Sequence, residues 1–417
     1  MRRTRRLRRH PIHRLRRPAP DAGELAEALR VLSAAKAPLL LCGGGVHYSE
    51  AGAELAAFAE RHGIPVAETQ AGKGALTWTH RLNVGSIGVT GTAAANGLAR
   101  DADVLLAVGS RLQDFTTGSR ALWSSKARLI QLNTAGFDAG KHGALPLIAD
   151  ARAGLAALSS GLAGWQAPAA WTKRAESQRA EWQRVVDRVT TPPKGNALPS
   201  DAQVLGAVNR GAGDSDIMVA AAGGLPGELH RLWRTRRPDG YHLEYGYSCM
   251  GYEIAGGLGV KLAEPAREVV VMVGDGSYLM LNSEIATSVA MGAKLILTVL
   301  DNRGFGCIGR LQQATGGAAF NNLLDEAAPR IDFAAHAASL GARSEKVEGV
   351  AALEAALARA RASDRTYVVV VDTDPAQATE AGGAWWDVAV PEVSERPEVR
   401  AARAAYDAAR ARQRLGD

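Results

Sequence analysis

Two short segments set oxygen-bearing side chains among glycines: Gly274-Asp275-Gly276-Ser277, and Asp301-Asn302 just ahead of Gly304, with 24 residues between Gly276 and Asp301. A carboxylate, an amide oxygen and a backbone carbonyl, offered by Asp275, Asn302 and Gly304, are hard donors. Mg²⁺ uses such donors while keeping the rest of its octahedron for water and phosphate oxygens. Gly274 and Gly276 permit a sharp turn and a close approach of backbone to a phosphate, and Ser277 adds a hydroxyl. The chemistry implied is a divalent metal that tethers a diphosphate. Either segment alone is an ordinary turn signal. Their pairing across one strand, one helix and a second strand is what points to a site.

Such a pairing needs a parallel sheet. The runs "VVVMVG" and "LILTVLD" stop at these residues, with a helix-like stretch between them. Parallel strands joined by one helix send both carboxyl ends to the same edge, where ligands of open α/β sheets bind. The alternation recurs along the chain. Helical patterns over 24–35 and in "EAGAELAAFAERHG" are interleaved with the strand runs "APLLLC", "IPVAET", "DVLLAVGS", "RLIQLNT" and "PLIAD". Later come "SDAQVLGAVNRGA", "DIMVAAAGG", "GYEIAGGLGVKLA" and "RTYVVVVDTD". Short apolar strand runs alternating with helices predict an α/β protein of two parallel-sheet, three-layer domains. The first, Rossmann-like, takes residues 21–160 and the second 201–384. A helical linker over 161–200 joins them, a basic arm or remnant linker precedes them at 1–20, and a charged helical tail follows at 385–417. In the first domain Gly43-Gly44-Gly45 follows a strand, but without G-x-G-x-x-G and a later acid it is read as binding no nucleotide.

Composition narrows the class. The 417 residues are 47% hydrophobic and 22% charged, which is ordinary for a globular protein. The net charge of +6 is concentrated at one end: residues 1–17 hold nine arginines and no acid, so the remainder carries −3. Such an arm could bind nucleic acid or an anionic surface, but it is read as a solvated tail or the remnant of a longer protein. No stretch reaches the roughly 18 apolar residues of a membrane span, and the protein reads as soluble and cytoplasmic. Three separated cysteines, Cys42, Cys249 and Cys307, and scattered histidines argue against a zinc site or a disulfide scaffold.

The Gly-Asp-Gly and Asp-Asn pair at this separation resembles the thiamine diphosphate enzymes, in which such segments open and close the cofactor-binding motif. The resemblance implies that Asp275, Asn302 and the carbonyl of Gly304 hold Mg²⁺. It also implies that the diphosphate meets Gly274, Gly276, Ser277 and the Gly223-Gly224 pair of "AAAGGLPGE". In "YSCMGYEIAGGLG" it makes Met250 the apolar wedge beneath the cofactor and turns the carbonyl of Ser248 toward its aminopyrimidine. Four segments, "VAETQAGKGAL", "EYGYSCMGYEIAGGLG", "DNRGFGCIGRLQ" and "WWDVAVPEVSE", are further similar to the trihydroxycyclohexanedione hydrolase family of inositol catabolism, from about His13 onward. That resemblance implies hydrolytic opening of the ring of 3D-(3,5/4)-trihydroxycyclohexane-1,2-dione to 5-deoxy-glucuronate. The polar side chains of Arg310, Gln312 and His242 are candidates for contact with the polyol, and equally for plain surface roles.

The family begins with a pyrimidine-binding domain, whose glutamate activates the cofactor. This sequence starts at the junction that normally follows it, so no catalytic residue is assigned here. The expectation is a chain that works as a homo-oligomer or with a complementing pyrimidine-domain chain, and turns over nothing alone. Two other readings are an acetolactate synthase-like carboligase or decarboxylase, and a non-catalytic module whose arginine-rich arm binds nucleic acid.

Overall fold

Runs of leucine and β-branched residues, closed by glycine or a polar residue, become the strands of two six-stranded sheets, parallel throughout. The computed structural model describes residues 16–195, 197–244, 246–324 and 328–413. The first sheet contains β1 (Pro38–Cys42), β2 (Val66–Glu68), β3 (Asn83–Ser86), β4 (Val104–Val108), β5 (Arg128–Asn133) and β6 (Leu145–Ile148), in the order β3-β2-β1-β4-β5-β6. The second contains β7 (Ile217–Ala220), β8 (Tyr241–Leu243), β9 (Val269–Gly274), β10 (Ile296–Asp301), β11 (Arg343–Val347) and β12 (Tyr367–Asp372), in the order β11-β12-β10-β9-β7-β8.

Central strands bury both faces, which is why they read as unbroken apolar runs. In β1, Leu39 and Leu41 join one core while Leu40 and Cys42 join the other. In β9, Val270 and Met272 face the first of these cores, and Val271 and Val273 face a third. One core is therefore shared by both domains. The helix Ala169–Val189 helps to build it, burying Trp171, Ala175, Trp182 and Val186. The indole of Trp171 donates to the Pro38 carbonyl of β1 at 2.8 Å, and that of Trp182 donates to the Arg231 carbonyl of the second domain at 3.1 Å. The segment read as a linker is thus a brace.

Three strands escape the sequence reading. β3 is "NVGS", β8 has three residues, and β11 is "RSEKV" at a sheet edge, half exposed. None is an apolar run. β8 matters most, because it pairs with β7 on the side opposite β9. The chain leaves β7 for the edge and returns to β9, so the strand order reverses between β7 and β9. The crevice of an open α/β sheet lies at such a reversal.

Of the predicted tail, Pro397–Arg410 is helix, and the residues just before it run irregularly against the first domain. Trp386 donates to Asp114 at 3.1 Å, the Asp387 amide donates to Ser119 at 2.8 Å, and Gln413 donates to the Ser119 carbonyl at 2.9 Å. Residues 1–15 of the basic arm lie outside the described residues. Arg17 is not a free charge: it pairs with Glu50 at 3.0 Å and Asp150 at 3.2 Å. Among the described residues, no helix is long and apolar enough to cross a membrane.

Candidate functional site

β9 and β10 are neighbours, with Leu300 opposite Gly274, so Asp275 and Asn302 emerge side by side at one sheet edge. Strand neighbours lie about 4.8 Å apart. Asp275 is 5% exposed. Among the described residues, neither its Oδ1 nor the Oδ1 of Asn302 has a hydrogen-bond partner. The backbone amides of Gly276 and Gly304 favour the ionised carboxylate but do not offset its burial. Burial, with the neighbouring Asp301 carboxylate, pushes Asp275 up to about 7. Gly304 has φ +141°, and a Cβ there would stand 2.5 Å from the Asn322 carbonyl oxygen, so a side chain is excluded. Buried polar atoms normally find partners. Two orphaned oxygens at the ends of adjacent strands, one on a carboxylate destabilised by burial, fit a hard divalent cation.

The remaining predicted residues surround this pair. Gly223, in the loop after β7, has φ +87°. At Gly223 and Gly274 no atom lies within 4 Å of where a side chain would begin, which leaves room for a ligand close to the backbone. Gly276 is different: the ring of Phe305 lies 2.7 Å from that point. Gly224 faces the Arg310 guanidinium, and Arg310 also donates to the Pro375 carbonyl at 2.5 Å. Ser248, on the loop after β8, has φ +53°, a costly conformation for a side-chain-bearing residue and one that gathers at functional sites. Met250 is 38% exposed on the same loop, close to the amino end of the helix Tyr252–Ala263.

Ser277 has a second occupation. Its hydroxyl donates to the Glu253 carboxylate at 2.8 to 2.9 Å and accepts from the Gly251 amide at 2.8 Å. Sequence reasoning missed Glu253. The available signal was a lone acid in the first turn of the apolar segment "YEIAGGLGV". Also missed was an apolar hollow of about 210 Å³ beside Asp275, lined by Leu279, Phe305, Leu324, Ile331 and Phe333. The polyol candidates have protein partners: His242 bonds the Tyr252 hydroxyl at 2.6 Å, and Gln312 bonds the Ala318 carbonyl at 2.6 Å and Asn322 at 2.5 Å.

In the first domain the glycine triplet answers to packing. A Cβ on Gly43 would lie 2.4 Å from the Gly109 carbonyl oxygen, and one on Gly45 would lie 2.6 Å from the Gly109 Cα, where the loops after β1 and β4 cross. The three cysteines are unpaired, and among the described residues no group of three or more His, Cys, Asp or Glu could hold a metal.

Residues 25–158 match the central domain of thiamine pyrophosphate enzymes, and residues 221–371 match their C-terminal TPP binding domain. The chain is 40% identical over 423 residues to 3D-(3,5/4)-trihydroxycyclohexane-1,2-dione hydrolase of Geobacillus thermodenitrificans (strain NG80-2). It is 39% identical over 426 residues to the protein of that name from Bacillus cereus (strain AH820), and 39% over 425 residues to the one from Bacillus thuringiensis (strain Al Hakam). In each case the match covers 94% of this chain, which spans 66% of the relative's length. With two six-stranded parallel sheets, a glycine-lined edge at the reversal of the second, and both domain matches in chain order, the protein belongs to the thiamine pyrophosphate enzyme family.

Proposed function

We propose that the carboxyl edge of the second sheet binds thiamine diphosphate through Mg²⁺, and that the site serves hydrolytic carbon–carbon cleavage of 3D-(3,5/4)-trihydroxycyclohexane-1,2-dione. The observation that carries the cofactor reading is the pair of buried oxygens without protein partners, Asp275 Oδ1 and Asn302 Oδ1, at the ends of adjacent strands. The substrate reading rests on the relatives' names at about 40% identity.

In this reading Asp275 and Asn302 hold the cation with their side-chain oxygens and Gly304 with its carbonyl. The rest of the coordination sphere would be left to water and phosphate oxygens. The loops at Gly223 and Gly274 would let the diphosphate lie against backbone, where a side chain would obstruct it, with Gly224 beneath Arg310 beside them. Met250, half exposed beside them, offers an apolar support, and the carbonyl of Ser248 an acceptor. When bound, the cofactor supplies a nucleophilic carbon and an electron sink for the bond between the two carbonyl carbons. The protein's part would be to orient it and to present the substrate to it at this sheet edge. A partner surface, either a second copy or a chain carrying a pyrimidine domain, completes the cleft.

Calorimetric titration of the 417-residue chain with thiamine diphosphate in the presence of Mg²⁺ tests the cofactor step. Binding that disappears in D275A is expected, and binding that D275A leaves unchanged overturns the assignment. The reaction is tested by following loss of the dione and loss of pyruvate, with the chain alone and mixed with the third of a relative that it does not span. Dione loss in the mixture is expected, and pyruvate loss instead makes the protein a decarboxylase or carboligase.

A further inference from the structure

We propose that Glu253 is a positioning residue for this site: one buried carboxylate fixes the mutual spacing of the loops after β7, β8 and β9, and thereby sets the affinity for a diphosphate-bearing ligand. The proposal rests on reading that edge as the diphosphate site.

Glu253 is 1% exposed in the first turn of the helix Tyr252–Ala263. Its Oε1 accepts from the Ala222 amide at 3.3 Å, and its Oε2 accepts from the Gly251 amide at 3.0 Å. The Ser277 hydroxyl lies 2.9 and 2.8 Å from the two oxygens. The three donors come from three different loops. Ala222 precedes Gly223 and Gly224, Gly251 follows Ser248 and Met250, and Ser277 follows Gly274, Asp275 and Gly276. Every segment of the second domain proposed to meet the cofactor is thus tied to the same carboxylate, except the one after β10. The tie at Gly251 is doubled, since its amide also donates to Ser277 at 2.8 Å.

The chemistry of the tie is specific. A carboxylate only accepts, so three converging donors all find lone pairs on it. A glutamine of the same shape turns an NH₂ toward one of them, leaving a buried amide facing another donor. Nor is a carboxylate needed merely to close an apolar helix against a sheet, because an uncharged, well-packed side chain does that at lower cost of desolvation. Its location explains it. The three strands meet where the strand order reverses, and the loops leaving them belong to no common element. Without a shared anchor they can drift relative to one another, and a ligand held by several loops loses affinity when they drift by about an ångström.

The role predicts a division between metal and diphosphate. The cation's proposed donors are on the loops after β9 and β10, whereas the diphosphate also needs those after β7 and β8. In the full chain, E253Q and S277A are therefore expected to bind Mn²⁺ alone, followed by its electron paramagnetic resonance signal, within about threefold of the native affinity, while Mg²⁺-dependent binding of thiamine diphosphate weakens on the order of 10- to 100-fold in E253Q. A smaller loss is expected in S277A, which removes one hydroxyl and keeps the carboxylate's two amide partners. It also carries the test should E253Q fail to fold. The double variant is expected to lose less than the two single losses combined, because both act through one anchor. Thiamine diphosphate binding unchanged in both single variants overturns the proposal, as does a parallel loss of Mn²⁺ and thiamine diphosphate. D275A separates the two levels of the argument. If it abolishes binding that E253Q and S277A leave intact, the site stands and the role of Glu253 falls. If the native chain binds neither Mn²⁺ nor thiamine diphosphate, or D275A binds them as the native chain does, the site itself falls.

Discussion

Asp275 is a carboxylate folded into a place that disfavours its charge. Its pKa of about 7 lies above the ordinary 3.8 because burial and Asp301 both oppose ionisation. Between those two values the folded chain holds a proton that the unfolded chain has released. The metal-free protein therefore gains stability as pH falls from about 7 toward 4, and lacks that contribution above 7. D275N removes the buried charge. At pH 8 without metal it is expected to be more stable than the native chain by roughly 2–4 kcal/mol in urea denaturation. It should also lose the stabilisation that Mg²⁺ gives the native protein. A native chain more stable than D275N under those conditions contradicts the assignment of a destabilised carboxylate. Protons and metal compete for the same oxygen, so Mg²⁺ affinity should fall by about tenfold per pH unit below 7. The side-by-side placement of Asp275 and Asn302 was legible in the sequence because, although each segment alone is an ordinary turn signal, their spacing across one β-α-β unit is informative. Glu253 was not, because two of its three partners, the Ala222 amide and the Ser277 hydroxyl, lie on segments 31 and 24 residues away, and two of the three are backbone amides.

The helix Ala169–Val189 shows how an element can be read correctly and its role missed. Its helical pattern and the following Pro-Gly stretch suggested a linker, yet Trp182, 3% exposed, packs in the core shared by both sheets. W182A is expected to cost about 3–5 kcal/mol, whereas K173A, on the exposed face, should change stability by no more than about 0.5 kcal/mol. Equal effects of the two substitutions in urea denaturation would make the helix a connector after all. β8 illustrates the opposite difficulty. Three residues carry no periodic signal, but they set where the second sheet reverses, and hence which loops surround Asp275.

At the scale of the whole molecule, the segment "TQAGKG" joins the domains. Gln70 donates to the Pro226 carbonyl at 3.0 Å and accepts from the Tyr241 hydroxyl at 3.2 Å. His230, fully buried, bonds Thr90 at 2.9 Å and the Glu68 carbonyl at 3.2 Å. Burial, reinforced by Lys73, holds its pKa well below the usual imidazole value. An unfolded histidine takes up a proton below about pH 6.5 that the folded one refuses, so acid withdraws stability from this interface. Relative to H230Q, the native chain should lose up to about 1.4 kcal/mol per pH unit between pH 6 and 5. H230Q should itself start about 1–3 kcal/mol lower at pH 8, from the partners left unsatisfied. Parallel stability profiles for the two proteins across that range would show that His230 titrates freely.

The sequence by itself determined the fold class, the strands that are buried on both faces, and the two oxygen side chains at one sheet edge, because each leaves a local mark: an apolar run, a glycine, a spacing. Only the tertiary structure decided where the second sheet reverses, that one helix braces both domains, that Gly43 and Gly45 answer to Gly109, and that Glu253 gathers three loops. Those features arise from contacts between residues distant in the chain, often through backbone groups that every residue possesses, so side-chain type alone does not announce them.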